Sequence, residues 1–318
     1  MGKRFPFNGL PQGWYVVATS GELKPGRMLS RHYFDREIVV YRTLEGEVRV
    51  IDAFCPHLGA HLGVVGCVEG ETIRCGFHSF RYDLEGHCVE TSYDGPPPPD
   101  ARLSFWTARE QNGLVLVWYD QNGEAPTWQV PVLDDEGWNR MRWKRYRVAT
   151  HPQETTENSV DFGHFTQLHG FSDGSITEPI MVEGPLLTSS YRALRPLPHP
   201  KLEMLLMPVD YDVEVWGLGY SQVNVHIESL RLEFRVWVLP VPVDEENIDL
   251  IIGLATFKNI GPLAPIARFF AHRILCKEVD QDVDVWTYKS YLEYPALAKG
   301  DGPVAEYRRY VKQFYPPD

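Results

Sequence analysis

Cysteine is scarce in this chain: five in 318 residues, an odd number. The opening MGKRFPFNGLPQGW has basic residues but no apolar segment behind them, so no secretory leader is expected. A disulfide framework is therefore not expected, and metal binding or plain burial is the better use for the thiols. Long apolar runs are missing too. No stretch of about 18 such residues occurs, so no membrane span is expected and the compartment reads as cytoplasmic. Positive charge is in deficit: 31 Lys and Arg against 43 Asp and Glu leave a net charge of −12. No basic patch is expected that could neutralise phosphates, which argues against nucleic acid as a partner. A Gly-rich dinucleotide fingerprint is also absent, because GLGYSQ at 217–222 neither follows that pattern nor leads into a helix.

What is plentiful points to turns. Proline (25) and glycine (26) favour short strands over a helical bundle. EIVVYRT, EVRVIDAF, TIRCGF and GLVLVWYD alternate or run apolar between turn residues, which predicts a small all-β unit. DGPPPPD at 94–100 reads as an extended surface segment. Beyond about Pro126 the texture changes. RMRWKRYRVA predicts an entering strand, and QETTENSVDFGHFTQLHG lacks strand alternation and ends on Gly170, a helix C-cap type. KLEMLLMPVDYDVEVWGLGY, RLEFRVWVLPV and NIDLIIGLATF predict strands. PIARFFAHRILCKEVDQDVDVWTYKSYLE has the period and length of a helix. The expected fold class is α+β in two domains, an all-β one over 10–125 and an α+β one over 126–318.

Residues 54–80, FCPHLGAHLGVVGCVEGETIRCGFHSF, hold three of the five cysteines and three histidines. Cys55 and His57 form C-x-H, and Cys75 and His78 form C-x2-H. Two such knuckles on neighbouring hairpins can hold one inorganic centre. A Cys2His2 zinc site uses the same ligand types. Against zinc, C-x-H is tighter than the usual opening pair and no helix follows with a second His pair. The glycines and prolines also let backbone N–H groups approach sulfides. Two thiolates on one iron and two imidazoles on the other fit a Rieske [2Fe–2S] cluster. His61 reads as a polar loop residue, His87 as a turn residue, and Cys67, Cys88 and Cys276 as small packed side chains.

C-P-H-x17-C-x2-H followed by RYDLEGHC resembles the Rieske domain of the Rieske non-heme iron oxygenases. Respiratory Rieske proteins carry an extra cysteine in each knuckle; Ala60 and Ser79 stand near those places here, so the oxygenase type is favoured. The family usually has Gly-Trp after the second His; this chain has Ser79 and Phe80.

Oxygenase chemistry needs a second iron, and a 2-His-1-carboxylate set leaves one face of Fe(II) open for O2. ENSVDFGHFTQLHG supplies Asn158, Asp161, His164 and His169. On a continuous helix the two histidines would stand about 140° apart, so both reach one metal only if the helix breaks between them. Gly163 and Gly170 allow that without requiring it. N-x2-D-x2-H-x4-H is, however, similar to the signature of the family's catalytic domain. That resemblance implies His164 and His169 as iron ligands and Asp161 as a bridge toward a neighbouring cluster. For the carboxylate, Glu278, Asp280, Asp282 and Asp284 compete. Helical phasing puts Asp282 within the apolar stripe of Leu275, Val279, Val283 and Trp286, about 100° wide, with Asp280 and Asp284 on the wet side. A carboxylate on a buried face is costly unless it is paired or bound. The family's D-x3-W-like pattern, matched from Asp282, agrees.

The resemblance spans essentially the whole chain. It implies a helix-grip catalytic domain, with an antiparallel sheet curved around a long helix, and a head-to-tail homotrimer. The implied activity is that of a terminal oxygenase component, hydroxylating, demethylating or desaturating a hydrophobic small molecule with O2. Electrons would come from a separate ferredoxin or flavin reductase. EMLLMPV, LIIGL, Phe162 and Phe165 suit an apolar cavity, and equally an ordinary core; the compact chain resembles family branches acting on fused-ring or sterol-like substrates. Two other classes compete: an electron-transfer protein with a lipid-binding domain, which needs one iron ligand missing, and a zinc-stabilised binding module, which would be colourless.

Overall fold

A computed structural model of the chain describes residues 4–196 and 206–316. The described residues fall into two compact units. One is Trp14–Thr127; the other joins the described part of Met1–Gly13 to that of Trp128–Asp318.

The first unit is built of short antiparallel strands in three small sheets. Gly13–Thr19, Leu114–Tyr119 and Ala108–Gln111 make one, and Met28–Tyr33, Arg36–Arg42 and Val48–Asp52 a second. The third, Gly66–Glu69, Thr72–Cys75, Arg81–Tyr82 and Cys88–Glu90, carries the second knuckle at its centre. Its core runs through Ile51, Leu62, Ile73, Phe80 and Tyr82, and both Cys55 and Cys75 are part of it. The proline-rich stretch is irregular and mostly exposed. Cys67 corrects the expectation of a packed thiol: it is only half-buried, with Sγ directed to a Glu69 carboxylate oxygen. Cys88 is half-buried too but packs against this core, with Sγ directed to the Glu90 carbonyl.

The second unit is a seven-stranded antiparallel sheet in the order Arg142–Val148, Ile248–Thr256, Leu232–Pro242, Tyr220–Ile227, Leu206–Trp216, Leu186–Pro196, Ser172–Glu183. The strand Ile248–Thr256 is buried along its whole length. A Cβ on its Gly253 would fall 2.2 Å from the Trp143 ring, so only glycine lets that indole lie flat on the neighbouring strand. GLGYSQ is the hairpin joining Leu206–Trp216 to Tyr220–Ile227, with Gly217 at φ +63°. The 25-residue helix Ala264–Tyr288 packs on Ile248–Thr256 and Arg142–Val148. It buries Val279, Asp282 and Trp286 and exposes Asp280 and Asp284, which is the phasing its sequence period predicts. The strand Ser172–Glu183, mostly exposed and without alternation, was not expected, and neither was the helix Val304–Val311, although its buried Val304, Tyr307, Tyr310 and Val311 follow a helical period. Residues 201–205 of the predicted strand KLEMLLMPV lie outside the described residues.

Between Arg142–Val148 and the strand Ser172–Glu183, the predicted helical stretch is two short helices, Pro152–Glu157 and Gly163–Gln167. Charge holds the first in place. Lys289 Nζ sits 2.8 Å from Glu154 Oε2 and 3.2 Å from Glu157 Oε1, and Arg308 Nε donates to Glu157 Oε2 at 2.8 Å. Burial pushes the Glu154 carboxyl up, and the nearby Lys289 pulls it back only in part.

Candidate metal centres

The two knuckles of the first unit close in the same way. Cys55 N–H donates to the Ala60 carbonyl and Gly59 N–H to the Cys55 carbonyl, both at 2.9 Å. In the second knuckle Cys75 N–H donates to the Phe80 carbonyl at 2.8 Å and Ser79 N–H to the Cys75 carbonyl at 3.0 Å. The matching positions, Gly59 and Ser79, both have left-handed backbone, at φ +73° and +58°. Ser79 thus stands where the turn itself favours glycine. This doubled turn aims His57 and His78 the same way, with ring centroids 4.8 Å apart and planes nearly perpendicular. Phe80 stacks on His57 at 4.1 Å and 9°.

Cys55 and Cys75 are free thiols, each 2% exposed. Burial pushes the Cys55 thiol up, while a contact with Tyr82 Oη at 3.1 Å favours the thiolate. His78 Nδ1 is buried with no hydrogen-bond partner in the structure. Two adjacent buried thiols and a buried imidazole nitrogen without a hydrogen-bond partner are a donor set that fits a metal cluster. His61 stands apart, half-buried, with its ring edge-on to Phe54 and Nε2 3.7 Å from Glu37.

In the second unit the helix breaks where the spacing left the question open. Gly163–Gln167 is a helix of little more than one turn, and His169 lies beyond its end. The backbone then turns at Gly170, φ +72°. The His164 and His169 rings come to 5.2 Å with planes 78° apart. Asp282 arrives from the long helix, 3.4 Å from His169 Nε2. One ligand atom from each of His164, His169 and Asp282 lies within 4.8 Å of the other two, the spacing of donors around a single ion.

Their neighbours hold these side chains in orientation. His169 Nδ1–H donates to Gln281 Oε1 at 3.2 Å, which directs Nε2 to the centre. His164 Nδ1 makes a short hydrogen bond to the Asp161 carbonyl, and its N–H donates to Asp161 Oδ1 at 3.3 Å. Burial raises the Asp161 carboxyl, but hydrogen bonding and charge from His164 outweigh it and leave the group below its ordinary range. Asn158 Nδ2 donates to Asp282 Oδ1 at 3.4 Å, and its Oδ1 accepts from Trp286 Nε1 at the same distance. Trp286 is the tryptophan of the D-x3-W-like pattern, whereas Gln281 was not expected to act here, and no local signal separates it from other polar positions of the helix.

The triad opens into a cavity of about 370 Å3 between sheet and long helix. Phe165, Met207, Val209, Ile252 and Leu254 line it, so part of EMLLMPV and LIIGL is cavity wall. Phe162 does not line it and packs on Tyr191 instead, at 5.1 Å between ring centroids. Arg195 and Glu278 pair on the wall. Burial pushes the Glu278 carboxyl up, offset only in part by the Arg195 charge. Among the described residues no helix is long and apolar enough to cross a membrane.

Comparison with known proteins places both units. The Rieske [2Fe-2S] domain model matches residues 13–101, and the model of the 3-ketosteroid 9alpha-hydroxylase C-terminal domain matches residues 117–315. A cholesterol 7-desaturase of Xenopus laevis is 31% identical over 330 residues, covering 96% of this chain and 72% of that protein. The oxygenase component of a 3-ketosteroid-9-alpha-monooxygenase of Rhodococcus rhodochrous is 27% identical over 322 residues, covering 96% and 80%. Dicamba monooxygenase bound to dicamba superposes with a TM-score of 0.76 at 18% identity, covering 95% of this chain and 96% of that one. NdmA of Pseudomonas putida CBB5 with caffeine gives 0.75 at 18% identity, covering 94% and 89%. These structural likenesses establish the fold.

Proposed function

The chain belongs to the Rieske non-heme iron oxygenases with a 3-ketosteroid 9alpha-hydroxylase C-terminal domain, and from that membership we propose that it hydroxylates or desaturates a sterol or steroid held in the apolar cavity. It is a terminal oxygenase component that works with a ferredoxin or flavin reductase. Its family carries a [2Fe–2S] cluster and a mononuclear iron and uses O2. The observation that carries the substrate reading is the position of His164, His169 and Asp282 on the wall of an apolar cavity.

In this reading Cys55, Cys75, His57 and His78 hold the cluster, and His164, His169 and Asp282 hold the iron. The cluster supplies electrons one at a time and the iron a site for O2. The chain's own residues do the rest. Asn158 and Gln281 keep Asp282 and His169 turned to the centre, and Asp161 orients His164 and bridges toward the cluster of a neighbouring chain. The apolar strands exclude water and seat the rings of the substrate. An electron carrier with a lipid-binding domain would need one of the three iron donors out of place, and their convergence favours the oxygenase. A homotrimer in the cytoplasm completes the proposal. Leu58 and Phe77 beside the two cluster histidines are 66% and 59% exposed, which suits a tip that docks on the next chain of a closed ring.

The test is composition and turnover together. Purified protein should be red-brown, with about three irons and two labile sulfides per chain, as one [2Fe–2S] cluster and one iron require. Cys55→Ala should bleach it. With a reductase system, cholesterol or a 3-ketosteroid should gain an oxygen or lose two hydrogens by mass spectrometry. A colourless zinc protein, or no product from either steroid class, overturns the reading.

A further inference from the structure

Beyond the triad, the only charged side chains on the cavity wall among the described residues are Arg195, from the strand Leu186–Pro196, and Glu278, from the long helix. Arg195 Nη2 donates to Glu278 Oε1, and the guanidinium lies 5.0 Å from the centre of the Phe171 ring. Among the described residues Nη2 meets Glu278, and a guanidinium carries five N–H donors, so others remain that can reach into the cavity. A third polar group meets the pair. Tyr211 is 7% exposed, stacks on Tyr191 at 4.6 Å, and interacts electrostatically with both Arg195 and Glu278. Its buried hydroxyl lies near Arg195 without a well-formed hydrogen bond. A buried hydroxyl without a partner is costly, and so is a charged pair beside apolar strands.

We propose that Arg195, Glu278 and Tyr211 form a subsite that binds the substrate's oxygen, and that the substrate is neutral with a ketone or hydroxyl at one end. The inference rests on the steroid reading above and adds to it the residues that select among steroids. A ketone or hydroxyl oxygen has two lone pairs, which match a free Arg195 N–H and the Tyr211 O–H; a hydroxyl can also donate to Glu278. Because Arg195 and Glu278 cancel in charge, an ionised carboxylate gains no net attraction and faces the Glu278 carboxylate. The subsite therefore selects neutral oxygen. Glu278 lies one helical turn from Asp282, so the oxygen is held about 5–6 Å along the helix from the iron triad.

The experiment uses the fully loaded protein and three steroids delivered from cyclodextrin: cholest-4-en-3-one, cholesterol, and cholest-5-ene, which lacks the oxygen. Wild type should bind the oxygenated pair about ten- to a hundredfold more tightly than cholest-5-ene, the worth of a hydrogen bond to a charged donor. In the double variant R195M/E278M, which leaves no unpaired buried charge, that ratio should fall to near one while cholest-5-ene affinity stays within about threefold. Tyr211→Phe keeps the ring stack and should lower the ratio about three- to tenfold, and it decides the matter alone if the double variant fails to fold. A wild type without preference, or a preference surviving in the variants, overturns the subsite and leaves the steroid reading intact. A wild type that binds none of the three overturns both.

Discussion

The Asn158 side-chain amide joins the carboxylate of Asp282 to the indole of Trp286, donating to one and accepting from the other, each at 3.4 Å. Both helical partners are buried, so the amide sets which way the carboxylate faces. Asn158→Ala should weaken iron binding about 10- to 100-fold with the cluster's colour unchanged, as removal of such supporting hydrogen bonds does. Metal titration of the chelated protein measures this. Asp280→Ala is the control: Asp280 pairs with Lys144 at the surface, at 3.1 Å, and its loss should leave iron affinity near normal. Equal losses in both variants would mean that the helix is merely destabilised.

Asp161 tests the path between the metals. Asp161→Ala should keep the cluster and at least part of the iron, and still accept an electron from the reductase. A single turnover should slow by orders of magnitude, as the proposed role of Asp161 as a bridge to the neighbouring chain's cluster requires. Normal single-turnover rates with full iron would make Asp161 structural only.

Ser79 invites a stabilising substitution. It holds left-handed backbone at φ +58° where the matching turn has Gly59. Ser79→Gly should stabilise the Rieske unit by about 0.5–1 kcal/mol, the strain relieved less the entropy lost. Denaturant unfolding followed by cluster absorbance reads the change. A loss of stability would show that the Ser79 hydroxyl does more than the turn requires.

Tyr82→Phe removes the hydroxyl 3.1 Å from Cys55 Sγ. Hydrogen bonds to cluster sulfurs favour the reduced, more negative state. The cluster potential should drop by ~60 mV if the bond contributes ~1.4 kcal/mol to the one-electron couple. Redox titration followed by the visible spectrum measures it, and an unchanged potential would mean the sulfur is not accepting.

Acid should destabilise the second unit through His151. It caps the helix Pro152–Glu157, accepting at Nδ1 from Gln153 N–H at 3.2 Å, and burial lowers its pKa from 6.5 to about 3. The unfolded chain therefore takes up a proton near pH 6.5 that the folded chain refuses until about pH 3. Stability is fully present above pH 6.5 and declines below it, by about 1.4 kcal/mol per pH unit from this group. His151→Asn keeps a capping acceptor and should flatten the decline between pH 6.5 and 4 in urea unfolding. An unaltered pH slope would show that His151 does not carry the acid sensitivity.

Much of the site was legible in the sequence because its signals are local. Cys55, His57, Cys75 and His78 stand on two turns whose spacing alone suggested a pinched inorganic centre. The burial of Asp282 and the exposure of Asp280 follow from a period of 3.6 residues, which any stretch of a helix carries in its own order. What the sequence left open needed contacts between distant segments. Whether the helix would break between His164 and His169 depends on packing around Gly163–Gln167, and no residue count decides that. Asn158 meets Asp282 across 124 positions, and Arg195 meets Glu278 across 83. No period links such pairs. The antiparallel sheet and the long helix bring them together, and only once apolar strands enclose the cavity does an unpaired donor on its wall become a binding group.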